Sequence, residues 1–162
     1  MARKGFTLVE LLIVIVIICL LAALLIPAVT KALIAAKETQ AAQLIASLDA
    51  CAKQYERDYN TFPPTAPDAS TGPMAYAIGK DTAKRPAYFS FSPDDVTSWP
   101  LATGSKIRNP VDIQKIVSYA DNTLSGGPVV PDGKRHNMYR VDICCDNWEG
   151  KPPCAINNWG SR

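Results

Sequence analysis

Histidine is almost missing from this chain: His136 is the only one among 162 residues. It stands beside Lys134 and Arg135 in a stretch that the turn residues Pro131, Asp132 and Gly133 introduce. With one imidazole in such surroundings, no Ser-His-Asp or Cys-His nucleophilic device can be argued. The chain also lacks GxxxxGK[ST], GxGxxG and HExxH, which removes the usual signatures of phosphate cradles, dinucleotide sites and zinc peptidases. An excess of one charge is lacking too. The formal net charge is +2, and Arg3 and Lys4 supply all of it, so the rest of the chain carries 15 basic and 15 acidic side chains. A balanced body offers no electrostatic footprint for nucleic acid and no polybasic membrane-surface patch. The few aromatics do not interleave with basic residues, as a single-strand groove requires. No internal repeat and no long disordered linker is visible.

The apolar content is concentrated at the start. After MARKG the chain reads FTLVELLIVIVIICLLAALLIP, with sixteen apolar residues in a row from Leu11 to Ile26. At ~1.5 Å rise per residue, a helix from Phe6 to Pro27 matches a hydrocarbon core of ~30 Å. Arg3 and Lys4 at its start keep the N-terminus cytoplasmic and send the remainder outward. A secretory signal peptide accounts for the basic start, but this run is too long and no small-x-small cleavage site follows. A plain anchor leaves Glu10 unexplained, because a carboxylate near a membrane is costly unless it snorkels or has a partner.

The string GFTLVE resembles the signature of the type IV prepilin family, which includes type IV pilins and the pseudopilins of type II secretion. Gly5, Phe6, Thr7, Leu8 and Glu10 all match the pattern of a short basic leader, Gly, Phe, Thr-Leu-x-Glu and an apolar stretch. The resemblance implies cleavage between Gly5 and Phe6 by a prepilin peptidase, methylation of the new amine on Phe6, and a role for Glu10 in assembly. It implies an inner-membrane assembly platform, contact with membrane lipid and a homo-oligomeric filament as partners. Physics agrees with that role for Glu10. A buried carboxylate in an apolar helical bundle needs a partner. The Phe6 amine of a neighbouring subunit is a suitable one, and pairing fixes register.

Pro27 either ends this helix or kinks it. Continuation is favoured, because Ile34, Ala41, Ile45, Leu48, Ala52, Tyr55 and Tyr59 recur at helical spacing between polar residues. A helix from Phe6 to about Tyr59 is on the order of 80 Å long, and Asn60-Thr61-Phe62-Pro63-Pro64 stops it. YERDYNTFPPT resembles the end of the long helix of major pseudopilins. Beyond it the signals predict a short helix or turn around Met74–Ile78 and strands at AYFSFS (Phe89, Phe91), KIVSYAD (Ile116, Val117, Tyr119) and around Tyr139, Val141 and Ile143. The expected fold is α+β: a long N-terminal helix whose second half carries a small antiparallel sheet. The expected divisions are a leader over 1–5, a membrane and filament-core helix over 6–28, an amphipathic half over 29–62 and a periplasmic globular region over 63–162.

Five cysteines are present. Cys19 lies in the apolar run and reads as a small hydrophobe. Cys51, Cys144, Cys145 and Cys154 fit an oxidising compartment. A bond between the neighbours Cys144 and Cys145 is disfavoured by geometry. The favoured pairing closes a short loop from Cys144 or Cys145 to Cys154, leaving the other thiol free or joined to Cys51. A zinc set of Cys144, Cys145, Cys154 and His136 lacks a C-x-x-C pair. Major pseudopilins often bind calcium near the C-terminus and end in Asp-Ile-x-x-Trp. PDGK and AINNW look similar, with Ala155 in place of an acidic residue and a cysteine-bearing stretch between the two pieces. The resemblance therefore places a calcium loop at Asp132, Asp142 and Asp146, which by themselves read as solvated loop acids.

The reading is a structural, non-enzymatic subunit, most similar to the major pseudopilin of a type II secretion system. A type IV pilus subunit, favoured by the extra cysteines, is the alternative within the family. A membrane-anchored periplasmic enzyme or binding protein is the alternative outside it, and the sequence shows no converging polar set for that.

Overall fold

The computed structural model describes residues 6–80, 86–123, 127–137, 140–145 and 152–159. The elements in order are α1 (Leu8–Tyr59), α2 (Gly72–Gly79), β1 (Val117–Asp121) and β2 (Val141–Cys145). The chain forms two compact units, Met1–Ala36 and Lys37–Arg162.

In the first unit every large apolar side chain of α1 is exposed, from Leu8 at 80% to Val29 at 45%. Its most apolar window has a mean hydropathy of 3.4, enough in length and composition to cross a membrane. Pro27 lies inside the helix. Three residues on, the Thr30 hydroxyl donates to the Pro27 carbonyl at 3.0 Å, a back-bond typical of Ser and Thr in helices. Helix α1 thus continues past Pro27, as the residue spacing predicts.

In the second unit α1 buries Ala41, Ile45, Leu48 and Ala52, which recur three and four apart and so share one stripe. The stripe is narrower than predicted: Ile34, in the first unit, is exposed, and so is Tyr59. Asn60 ends the helix. Its φ of 55° is left-handed, and its N–H returns to the Glu56 carbonyl at 2.7 Å. This is the closure that asparagine tolerates after a last turn.

Strands β1 and β2 pair antiparallel, with Val117 opposite Cys145 and Asp121 opposite Val141. All ten residues are buried, because both faces of this small sheet are covered. Successive strand residues face opposite sides. Val117, Tyr119, Val141, Ile143 and Cys145 pack with the α1 stripe. Ala120 and Cys144 pack instead with Val130, Cys154 and Trp159.

Among the described residues the sheet has two strands, fewer than the three segments expected. The AYFSFS run forms no strand. The amides of Tyr88 and Phe89 both donate to the Ile78 carbonyl, at 2.8 and 3.2 Å, so they close the end of α2 rather than a ladder. Phe91 is buried in the main core, and its ring lies 4.6 Å from that of Phe89. Tyr139, expected to begin a strand, lies outside the described residues.

Candidate processing and assembly site

The polar residues at the start of α1 form a closed pair. The Thr7 amide and hydroxyl donate to Glu10 Oε2 at 2.9 and 2.8 Å. The Glu10 amide returns a bond to Thr7 Oγ1 at 3.3 Å. This reciprocal arrangement is a capping box: the threonine caps the helix, and the glutamate three residues on reaches back. It satisfies amides that the first turn leaves without partners. It also turns the Glu10 carboxylate back onto the Thr7 amide. Phe6, immediately before the cap, is 77% exposed. Residues 1–26 match the prokaryotic N-terminal methylation motif. That prepilin-type leader supports a type IV pilin-like subunit, processed by prepilin peptidase and assembled into a filament. No curated protein and no solved structure matches the chain.

In the sequence Glu10 stands out as a docking residue, whereas Thr7 is only a letter of the signature. The missed signal is T-x-x-E ahead of an apolar run, which spells a capping box by itself. Gly5, the residue before the expected cleavage point, lies outside the described residues.

The cysteines divide according to the faces of β2. Cys144 is bonded to Cys154, with Cα atoms 5.0 Å apart. Cys145, one residue on, faces the α1 side and is buried there. Strand alternation therefore makes the choice between Cys144 and Cys145 that spacing left open. Cys51 is half-buried beside the same core. Its thiol donates to the Tyr88 carbonyl at 3.4 Å, and burial pushes its pKa up. Cys144 and Cys154, two of the four residues weighed as a zinc set with His136, are thus joined to each other.

The acids assigned to a calcium loop staple backbone. Asp142, fully buried, accepts from the amides of His136 at 2.8 Å and Asn137 at 2.9 Å. Asp132 accepts from the Lys134 amide at 3.0 Å and pairs with His136 Nε2 at 2.6 Å. The His136 ring stacks on Trp159, centroids 4.0 Å apart. Asp146 lies outside the described residues. Among the described residues no three His, Cys, Asp or Glu side chains converge as a metal site. This region borders a cavity of about 720 Å³ that His136 and Trp159 help to line.

AINNW acts as a latch. Asn158 Oδ1 accepts from the Ile143 amide at 3.0 Å, and Asn158 Nδ2 donates to Asp49 Oδ1 at 2.9 Å. One side chain thus joins β2 to α1. Asp49, which the residue pattern sets on a polar face, is its receptor.

Proposed function

We propose that this chain is the major pseudopilin of a type II secretion system. It is held in the bacterial inner membrane with its N-terminus cytoplasmic and its globular unit periplasmic. A prepilin peptidase cuts between Gly5 and Phe6, and the new amine is methylated. The assembly platform then lifts the subunit into a filament. The methylation motif over residues 1–26 supports the processed, filament-forming part of this reading, and the resemblance of YERDYNTFPPT and the INNW ending supports the pseudopilin within it.

The apolar surface of the first unit needs lipid before assembly and other helices after it. At ~25 cal/mol per Å² of apolar surface removed from water, such a helix is not left in solvent. Glu10 supplies register. Its Oε2 is engaged by Thr7, and we assign Oε1 to the cationic Phe6 amine of the neighbouring subunit. An ion pair in an apolar bundle is stable only when both charges are present, and removing one costs about 3–5 kcal/mol.

The test is the mass and N-terminal sequence of the chain from its native membrane, with a Glu10→Ala variant alongside. Processing predicts a chain that begins at methylated Phe6 in both and filaments only in the wild type. A chain that still begins at Met1 in the presence of an active prepilin peptidase sinks the reading.

The disulfide-closed segment from Cys144 to Cys154 favours a second reading, a type IV pilus subunit. Deleting the gene separates the two. Loss of secreted enzymes with surface pili intact supports the pseudopilin, and the reverse supports the pilus subunit.

A further inference from the structure

The outer edge of β2 is covered by the segment that follows Cys154, which runs antiparallel beside it. The Cys145 amide donates to the Ile156 carbonyl at 3.0 Å and the Asn158 amide to the Ile143 carbonyl at 3.1 Å, on either side of the Cys144–Asn157 bridge. The Asn158 side chain takes the next place along the edge. It accepts from the Ile143 amide at 3.0 Å and donates to the Val141 carbonyl at 3.1 Å. Ala155 and Ile156 pack against the main core. One short run therefore closes a strand edge and part of the core together. An uncovered edge is a row of unpaired amides and carbonyls with which other chains pair.

The other side of β2 is paired independently of this run. Amides of successive strand residues turn to opposite sides. Those of Ile143 and Cys145 meet the run, so those of Asp142 and Cys144 turn to their partners Ala120 and Ser118 in β1. Strand β1 is held in turn from beyond, by the Val117 amide on the Ile107 carbonyl at 2.9 Å and the Tyr119 amide on the Ala69 carbonyl at 2.8 Å. The ladder can thus persist without the run. What ties the run to the strand is the bond from Cys154 to Cys144, which fixes their Cα atoms 5.0 Å apart. With that tether Ile156, close behind Cys154, can only fray from the edge. Without it the run can leave whole.

We propose that the Cys144–Cys154 bond is a redox clasp on this edge. With the bond made, the run from Cys154 to Trp159 stays on β2. With the two thiols reduced, that run opens by itself while β1 and β2 remain paired. Closing the clasp joins the two Sγ atoms and passes two protons and two electrons to a disulfide oxidant, which is itself reduced to two thiols. Both cysteines are buried when the run is seated, so the exchange takes place while the run is open. The closed form therefore belongs to an oxidising compartment, and the reduced form shows an unpaired strand edge. The clasp lies wholly in the globular unit and is independent of the filament that the chain joins.

The test is residue-resolved amide exchange, followed by nuclear magnetic resonance, on the full chain in detergent micelles. The oxidised wild type is compared with the wild type refolded in excess dithiothreitol and with Cys144→Ser/Cys154→Ser in the same reductant. Losing the bond lowers all protection to some degree, so the quantity read is the gap between positions 143 and 145 on one hand and 142 and 144 on the other. That gap is expected to be small in the oxidised chain and to widen about tenfold or more without the bond, because the run then opens at a lower free energy than the ladder. Positions that lose protection by one common factor, or a chain that folds in neither bond-free form, show a brace for the whole unit and overturn the clasp. A gap already as wide in the oxidised chain overturns it as well, since the run then opens with the bond in place.

Discussion

Replacing Cys154 by serine should cost the globular unit about 2.7 kcal/mol. The bond joins residues separated by 10 positions. In the chain-entropy account, a loop of about ten residues removes roughly 9 cal/mol/K from the unfolded ensemble, which is about 2.7 kcal/mol at 25 °C. Packing adds to that figure: Cys154 is only 4% exposed and, with Cys144, joins Ala120 and Val130 in the cluster behind the sheet. The full chain in detergent, melted while near-ultraviolet circular dichroism follows its aromatics, should lose about 10 °C in Tm. Cys145→Ser is the control. Position 145 faces the α1 core, so its variant should keep a mass two hydrogens below the reduced value, even where the core is weakened. A Cys154→Ser chain within about 0.5 kcal/mol of wild type refutes the energetic argument, and a Cys145→Ser chain without the bond refutes the assignment by strand face.

Gly72→Ala should destabilise the unit by about 1–3 kcal/mol, because the new Cβ would lie 2.6 Å from the Thr103 carbonyl oxygen, which is backbone. Gly104→Ala, where nothing lies within 4 Å, should be neutral or stabilise slightly when both glycine variants are titrated with urea. Tyr119→Phe should cost about 1.5 kcal/mol in that assay, since the fully buried Tyr119 hydroxyl donates to the Pro63 carbonyl at 2.8 Å. Asp68 gives a pH dependence. The hydroxyl and amide of Ser70 hold its carboxyl at a pKa of about 2, below the ordinary 3.8, with Lys106 assisting. A depressed carboxyl stabilises the fold above its unfolded value, and that contribution disappears as pH falls from 3.8 through about 2. The side chain is 59% exposed, so screening keeps the effect below about 1 kcal/mol. Asp68→Ala should flatten the acid limb of the stability curve between those two values, lower stability at neutral pH by less than about 1 kcal/mol, and change nothing below about pH 2.

The elements that announce themselves in the sequence are those governed by local pattern. Sixteen consecutive apolar residues allow no fold but a helix in lipid or in a bundle. The stripe from Ala41 to Ala52 gives both the continuation of α1 and the face it buries. Val117 and Tyr119, then Val141 and Ile143, alternate because one side of the sheet meets that stripe. AYFSFS alternates as well, yet among the described residues no partner strand lies beside it, and the amides of Tyr88 and Phe89 serve the end of α2 instead. Periodicity reports which side chains want burial, not what covers them. The pairing of Cys144 rather than Cys145 was within reach, since the alternation that gave β2 also places neighbouring cysteines on opposite faces. At the candidate site, Glu10 stood out because a charge in an apolar run is conspicuous. Thr7 did not, because its chemistry lies in a bond to Glu10 that is read from spacing. The Asp49–Asn158 contact leaves no local trace, as its partners are 109 positions apart.

That long-range contact also sets a timetable. The ribosome finishes α1 early, with Ala41, Ile45, Leu48 and Ala52 uncovered, whereas the side chain that ties β2 to Asp49 is made only 109 residues later. A core assembled from contacts so far apart closes slowly, because the loop must be drawn together before the contact repays it. Until then the stripe is an adhesive surface on the part of the half-made chain that lies outside the membrane-length run. A subunit stopped short of Asn158 would carry the whole of α1 and lack the side chain that finishes its cover, so quality control that reads an exposed α1 stripe would in effect be checking whether synthesis reached the latch.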